Sequence, residues 1–320
     1  MSVILLPPPL LPSFQERNTE EVNAALAFAK EGHAKSTKRA YESDIKRFMS
    51  WCDERKLAFL PATPETVSVF IAFEAGQNLS PLTLSRRIAA IRYFHQLQGF
   101  PSPTTSEIVK ATMKGIKRTI GIASNPKAAA TVEVIRDMLR VIPKTLRGTR
   151  DRAILLLGFA GAFRRSELSS LTLDDLIEAE LGYRILIRKS KTDQEGKGQE
   201  IAIYNGKLKT IEAVKEWIEA SHITEGYLFR PLTKGGKVLN QALAPHRIAQ
   251  VVKRYAEKAG YSSGNYAGHS LRSGFITSAA ENGACIFKMM EVSRHKSVET
   301  LKGYVRRAEL FKDHAGTKFL

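Results

Sequence analysis

The chain of 320 residues has only two cysteines, Cys52 and Cys285, far apart and outside any CxxC pair. That excludes a disulfide framework and a zinc site of paired cysteines, and it fits a reducing cytoplasm. The chain is also short of acids. Its 32 Asp and Glu stand against 49 Lys and Arg, a formal charge of +17. An excess of that size favours a polyanionic partner, nucleic acid or an anionic membrane. The opening MSVILLPPPLLPSF is apolar, but prolines interrupt it and no basic leader precedes it. Neither a signal peptide nor a membrane span is expected there, and residues 1–34 read as a flexible proline-rich arm. Internal repeats are absent. Lys234-Gly235-Gly236-Lys237 is no phosphate loop, because the spaced first glycine and the Ser/Thr after the lysine are missing.

What the chain does have is a series of capped amphipathic helices. Tyr41, Ile45, Phe48 and Cys52 recur at helical spacing from Ser36 onward. Thr63-Pro64 and Ser80-Pro81 each pair an N-cap residue with proline at the first helical position, and a further helix is expected over 106–120. From 81 to 120 there are seven basic residues (Arg86, Arg87, Arg92, Lys110, Lys114, Lys117 and Arg118) against one acid, Glu107. A solvated helix face usually mixes both signs, so this stretch reads as a phosphate-binding surface. Residues 121–130, small and proline-containing, mark a boundary between two domains.

After the boundary the period changes. Helical segments over 131–170 give way to YRILIRK (183–189) and QEIAIY (199–204), which have strand composition and flank a charged loop. Residues 176–181 offer a third strand. Helices are expected at 207–220, 240–260, 270–282, 284–292 and 298–309. The fold class is thus mainly α, with a small antiparallel sheet in the C-terminal domain.

Several short motifs in the second half carry a resemblance. Gly161-Ala162-Phe163-Arg164-Arg165-Ser166-Glu167-Leu168 is similar to the first arginine box of the tyrosine recombinases, the phage integrase family, with the box arginine at Arg164. GHSLR (268–272) resembles its His-x-x-Arg box, and Arg294-His295 followed by Tyr304 resembles the last two site positions in order and spacing. Lys191, in Ser190-Lys191-Thr192, matches the family's hairpin lysine, with Lys189 and Lys197 as rivals. The similarity runs over roughly residues 35 to 310. WCDERK, LSPLTLSRRIAAIRYFHQ and MKGIKR resemble the core-binding domain of Cre-like members.

The resemblance implies a helical core-binding domain at 35–120, a linker at 121–130 and a DNA breaking-rejoining catalytic domain at 131–320. It implies a site-specific recombinase that cuts duplex DNA through a 3′-phosphotyrosyl link, with no metal and no cofactor. Tyr304 is the implied nucleophile. Arg164 and Arg272 would meet the charge on the nonbridging oxygens with permanently protonated forks. His269 would move a proton, His295 would donate a hydrogen bond, and Lys191 would protonate the leaving 5′ oxygen. Glu167 would hold the arginine or a histidine in place. Arg86, Arg87, Arg92, Lys114, Lys117 and Arg118 are the candidate DNA contacts.

Four protomers would bind two target sites and pass through a Holliday junction, in a bacterial or phage-encoded protein acting at the nucleoid, with no membrane partner. A short helix after Tyr304 would dock on a neighbouring subunit through Leu310, Phe311 and Phe319. Where the Cre-like pattern has tryptophan, this chain has His295; both donate a hydrogen bond. Taken singly, each residue has a plain alternative: Arg164 paired to Glu167 on a helix, His269 and His295 as structural histidines, Tyr304 as core. His222 and His246 match no motif. The competing readings are a catalytically idle DNA-binding relative, or a type IB topoisomerase or telomere resolvase using the same chemistry.

Overall fold

The computed structural model describes residues 34–121, 127–188 and 198–308. The proline-rich arm, the loop carrying Lys189, Lys191 and Lys197, and the segment with Leu310, Phe311 and Phe319 lie outside the described residues. The chain divides into two compact units, Met1–Asn125 and Pro126–Leu320. Among the described residues no helix is long and apolar enough to cross a membrane.

The first unit holds α1 (Lys35–Asp53), α2 (Pro64–Gly76), α3 (Pro81–Leu97) and α4 (Glu107–Ile120). Thr63 and Ser80 each accept the backbone N–H three residues on, Thr66 and Thr83, which is why α2 and α3 start where they do. The spaced apolar residues of α1 become its buried face: Ile45, Phe48 and Cys52 are inaccessible, and Tyr41 packs partly against them. Trp51 and Phe48 meet Phe70 of α2 edge-on, at 5.3 and 5.0 Å between ring centroids. Two carboxylates, Asp44 and Glu74, are buried in this core. Buried His95 accepts the Ala62 N–H at Nε2 and meets the Ile91 carbonyl through Nδ1, both at 2.9 Å. That pairing places its proton on Nδ1, and burial lowers its pKa.

The second unit is built around α6 (Leu146–Ala160), whose run Ala153–Leu157 is fully buried, as expected of a stretch apolar on every side of the helix. Around it lie α5 (Val132–Arg140), the short α7 (Arg165–Ser170), α8 (Thr210–Ser221), α9 (Pro245–Lys258), α10 (Ser270–Glu281), α11 (Ile286–Ser293) and α12 (Val298–Ala308). Strands β1 (Leu176–Ala179), β2 (Gly182–Ile187) and β3 (Gln199–Tyr204) form an antiparallel sheet in the order β1-β2-β3. Pairing Ala179 with Gly182 closes the first hairpin, and β2 pairs β3 from Gly182↔Tyr204 to Ile187↔Gln199. Tyr183, Ile185 and Ile187 of β2 and Ile201 and Ile203 of β3 share the buried face, following the period of two. The helix expected over 240–260 begins only at Pro245, whose fixed φ suits a first helical position but whose missing N–H ends any helix running into it.

Residues 127–132 cross α10 as a strap. The Ala128 and Ala130 N–H groups donate to the Asn265 and Ser270 carbonyls, at 2.7 and 2.9 Å, and the Val132 N–H donates to Ser278 Oγ at 2.9 Å. The strap lies so close that a Cβ on Gly274 would fall 1.9 Å from the Ala130 carbonyl oxygen. Gly274→Ala is therefore expected to lower unfolding stability by about 1–3 kcal/mol, the usual range for overpacking against a backbone that cannot yield. Denaturant unfolding at unchanged m-value checks it.

Candidate active site

The site starts from the turn after α6. Gly161 ends that helix, Ala162 takes a left-handed φ of 45°, and Phe163 turns into the core. A Cβ on Gly161 would sit 2.2 Å from the Phe163 ring, so the turn needs glycine there. Arg164 follows in extended conformation and caps α7. Its backbone N–H donates to Glu167 Oε2 at 2.9 Å, and its Nη1 donates to Glu167 Oε1 at 2.6 Å. Glu167, wholly buried, accepts a third bond from Arg294 Nη2 at 2.9 Å. The partners of this carboxylate are two arginines; none of these bonds involves a histidine.

The second arginine comes from the first turn of α10. Arg272 is 1% exposed. Its Nη1 donates to the Ala162 carbonyl at 2.8 Å, and its Nη2 stands 3.3 Å from His295 Nε2. Arg164, which lies near enough to be felt electrostatically, is thus brought together with Arg272 although the two are 108 positions apart. Burial, then Arg164 and Arg294, pulls Arg272 down to about 9, which leaves it cationic at neutral pH. For Glu167 burial works upward, but Arg294 and the bonds from Arg164 outweigh it and hold the carboxyl below its usual range.

His295 is half-buried and follows α11. Ser293 Oγ donates to the Met289 carbonyl at 2.6 Å, so its 2.8 Å contact with His295 Nδ1 is filled by the imidazole N–H. That leaves Nε2 as the acceptor facing Arg272. Burial, with Arg272, Arg164 and His269 adding like charge, pushes the ring down to about 4, so it is neutral at pH 7. His269 is exposed at the N-cap of α10, close enough to contribute to that shift. Tyr304, on α12, packs beside Ile276, Met289 and Leu301, half-buried and within electrostatic reach of Arg272. The arrangement offers a cationic cradle for one anion, two histidines beside it and a phenol at its edge. Among the described residues, no group of three or more His, Cys, Asp and Glu side chains could hold a metal ion.

The basic residues of the first unit separate into two sets. Arg86 donates to both oxygens of Asp44, at 2.8 and 3.0 Å. Arg87 turns inward, 14% exposed, and pairs with Glu74 and Asp44. Its charge is neutralised inside the unit. Arg92, Lys114 and Lys117 instead line a cavity of about 370 Å³ with Lys110, and Arg92 Nε donates to Thr104 Oγ1 at 3.2 Å. Arg118 is exposed on α4, outside that lining. The sequence signals the basic run but not this division, because the acids that capture Arg86 and Arg87 come from other helices. Arg294, which stands in the motif before His295 but has no role there, and Ser293 find their partners only in the folded chain.

Residues 129–310 match the phage integrase family, and residues 26–98 match the phage integrase N-terminal SAM-like domain. The chain is 35% identical over 289 residues to the integrase/recombinase xerD homolog of Selenomonas ruminantium, covering 88% of this chain and 84% of that protein. It is 23% identical to the recombinase cre of Escherichia phage P1, over 83% of this chain and 82% of that one. Among solved structures, the XerH site-specific recombinase in a post-cleavage complex with its difH substrate superposes with a TM-score of 0.66 at 18% identity. That match covers 88% of this chain and 79% of XerH. The Tn1549 transposon integrase bound to transposon right-end DNA gives 0.59 at 13% identity, over 90% and 96%.

Proposed function

The chain belongs to the phage integrase family and is a tyrosine recombinase, and we propose that it cuts and rejoins duplex DNA at specific sites through Tyr304. The observation that carries this reading is the convergence of Arg164, Arg272 and His295 from three separated segments, with Tyr304 beside them. The Tyr304 oxygen attacks the scissile phosphorus, the bond from phosphorus to the 5′ oxygen breaks, and a 3′-phosphotyrosyl link forms. Arg164 and Arg272 take the charge that builds on the nonbridging oxygens. His269, exposed beside the cradle, accepts the phenol proton. A phosphate arriving between Arg272 and His295 offsets the like charges that depress the imidazole, so the ring can take a proton at Nε2 and donate it to an oxygen. Lys191 supplies the proton that leaves with the 5′ oxygen. The link keeps the bond energy of the cut strand, so rejoining by another 5′-hydroxyl needs no nucleotide cofactor. Four protomers acting on two sites, in pairs, would carry this through a Holliday junction.

The test is a library of duplexes randomised over the target and nicked so that the cut end diffuses away. DNA that stays on the protein after detergent denaturation is recovered and sequenced. A shared motif in the attached DNA is expected; an absence of protein-linked DNA would refute the reading.

The cavity residues Arg92, Lys114 and Lys117 are the proposed phosphate contacts of the first unit, and Arg86 and Arg87 serve its internal ion pairs instead. Lys114→Ala combined with Lys117→Ala should weaken binding at all sequences alike. The slope of log affinity against log salt should flatten by about 2, since each lost phosphate contact removes roughly 0.9. An unchanged slope in a salt titration would remove these lysines from the interface.

A further inference from the structure

Arg294 lies between α11 and His295, and the structure gives its guanidinium four acceptors. Nη1 donates to the Gly161 and Val292 carbonyls, and Nη2 donates to the Ala162 carbonyl at 3.0 Å and to Glu167 Oε2 at 2.9 Å. The guanidinium also lies over the Phe163 ring, 5.2 Å from its centroid. Its side chain is 2% exposed. The backbone is left-handed, φ 57° and ψ 42°, at a helix end where glycine would be relaxed. A buried charge in a conformation that disfavours side chains is held there by what its head group binds.

What it binds is specific. The Ala162 carbonyl also takes Arg272 Nη1, and Glu167 also takes Arg164 through both its backbone N–H and its side chain. A single nitrogen, Arg294 Nη2, therefore joins the two acceptors that hold the two arginines of the cradle. We propose that Arg294 is a positioning residue for strand cleavage, bridging Glu167 and the 161–162 turn so that Arg164 and Arg272 keep one fixed spacing. It also shares the charge of Glu167. Without it, Arg164 and Arg272 would face that carboxylate alone; with it, three guanidinium groups face one carboxylate and the cradle's positive surplus for phosphate is larger.

This inference rests on the functional reading above, and its test separates the two. Cleavage of a nicked duplex is timed for wild type, Arg294→Gly, Arg294→Lys, Glu167→Gln and the Glu167→Gln/Arg294→Gly pair, with DNA affinity and thermal unfolding measured alongside. Glycine suits the left-handed cap, so that variant removes the guanidinium and relaxes the backbone. Its cleavage should fall about 10–100-fold, the usual cost of removing a group that orients a reacting one, with affinity changed less than about twofold. Lysine should fall between glycine and wild type. In the Glu167→Gln background the glycine change should cost less than about threefold more, because the bridge has already lost one end. Wild-type speed in Arg294→Gly, or losses that simply multiply in the pair, would overturn the proposal. If the glycine variant does not fold, wild-type speed in Arg294→Lys would overturn it equally, since an ammonium cannot span all four acceptors. Wild-type cleavage is the control: its absence refutes the functional reading, and its presence with an unaffected Arg294→Gly refutes only this inference.

Discussion

Tyr304→Phe is expected to abolish the covalent protein–DNA complex while leaving DNA binding within about twofold of wild type. The loss should be at least about 10⁴-fold, the scale seen when a covalent nucleophile is removed and only binding and charge stabilisation remain. The substitution deletes one oxygen and keeps the ring that packs with Ile276, Met289 and Leu301, so the unit should unfold within about 1 kcal/mol of wild type. These three readouts isolate chemistry from folding. Detergent-resistant protein–DNA bands in the phenylalanine variant would assign the nucleophile elsewhere.

Arg272→Gln carries the second large effect. The shorter amide brings no charge to the phosphate, no fork to bracket two oxygens, and loses the guanidinium's bond to the Ala162 carbonyl. Single-turnover cleavage on a nicked duplex should fall about 10²–10³-fold, as when one donor is removed from a charge-stabilising site. Binding should change far less, because the proposed phosphate contacts of the first unit are untouched. A second effect has a definite sign. Arg272 is the leading like charge acting on His295, so without it the imidazole, now near 4, should titrate closer to its ordinary value. An NMR titration of the imidazole would show an upward shift. A variant that cleaved at the wild-type rate, or left the histidine titration unmoved, would take Arg272 out of the cradle.

Much of this was readable in the chain because the signals are local. Thr63-Pro64 and Ser80-Pro81 announce helix starts through residues that touch only their own first turns. YRILI alternates because one face of β2 meets the core. The arginine and histidine boxes are short stretches whose spacing survives the loops between them. The rest depends on partners distant in sequence. Arg86 and Arg87 look equivalent beside one another, yet each finds a different carboxylate, Asp44 or Glu74, more closely. No local rule says that Glu167 faces a second arginine 127 positions away rather than a histidine. An arginine in a left-handed helix cap runs against ordinary cap preferences, so nothing local announces Arg294's bridge.

The strap over α10 has a mechanical consequence. Residues 127–132 are anchored at the Gly264, Asn265 and Ser270 carbonyls and the Ser278 hydroxyl, with Gly274 leaving no clearance between. A shift of residues 127–132 would therefore be felt first by the helix that holds Arg272, whose backbone lies two positions from both Ser270 and Gly274. A displacement of about 1 Å at a reacting group is enough to cost on the order of 100-fold in rate. The 127–132 strap is thus a brace on the helix that carries Arg272.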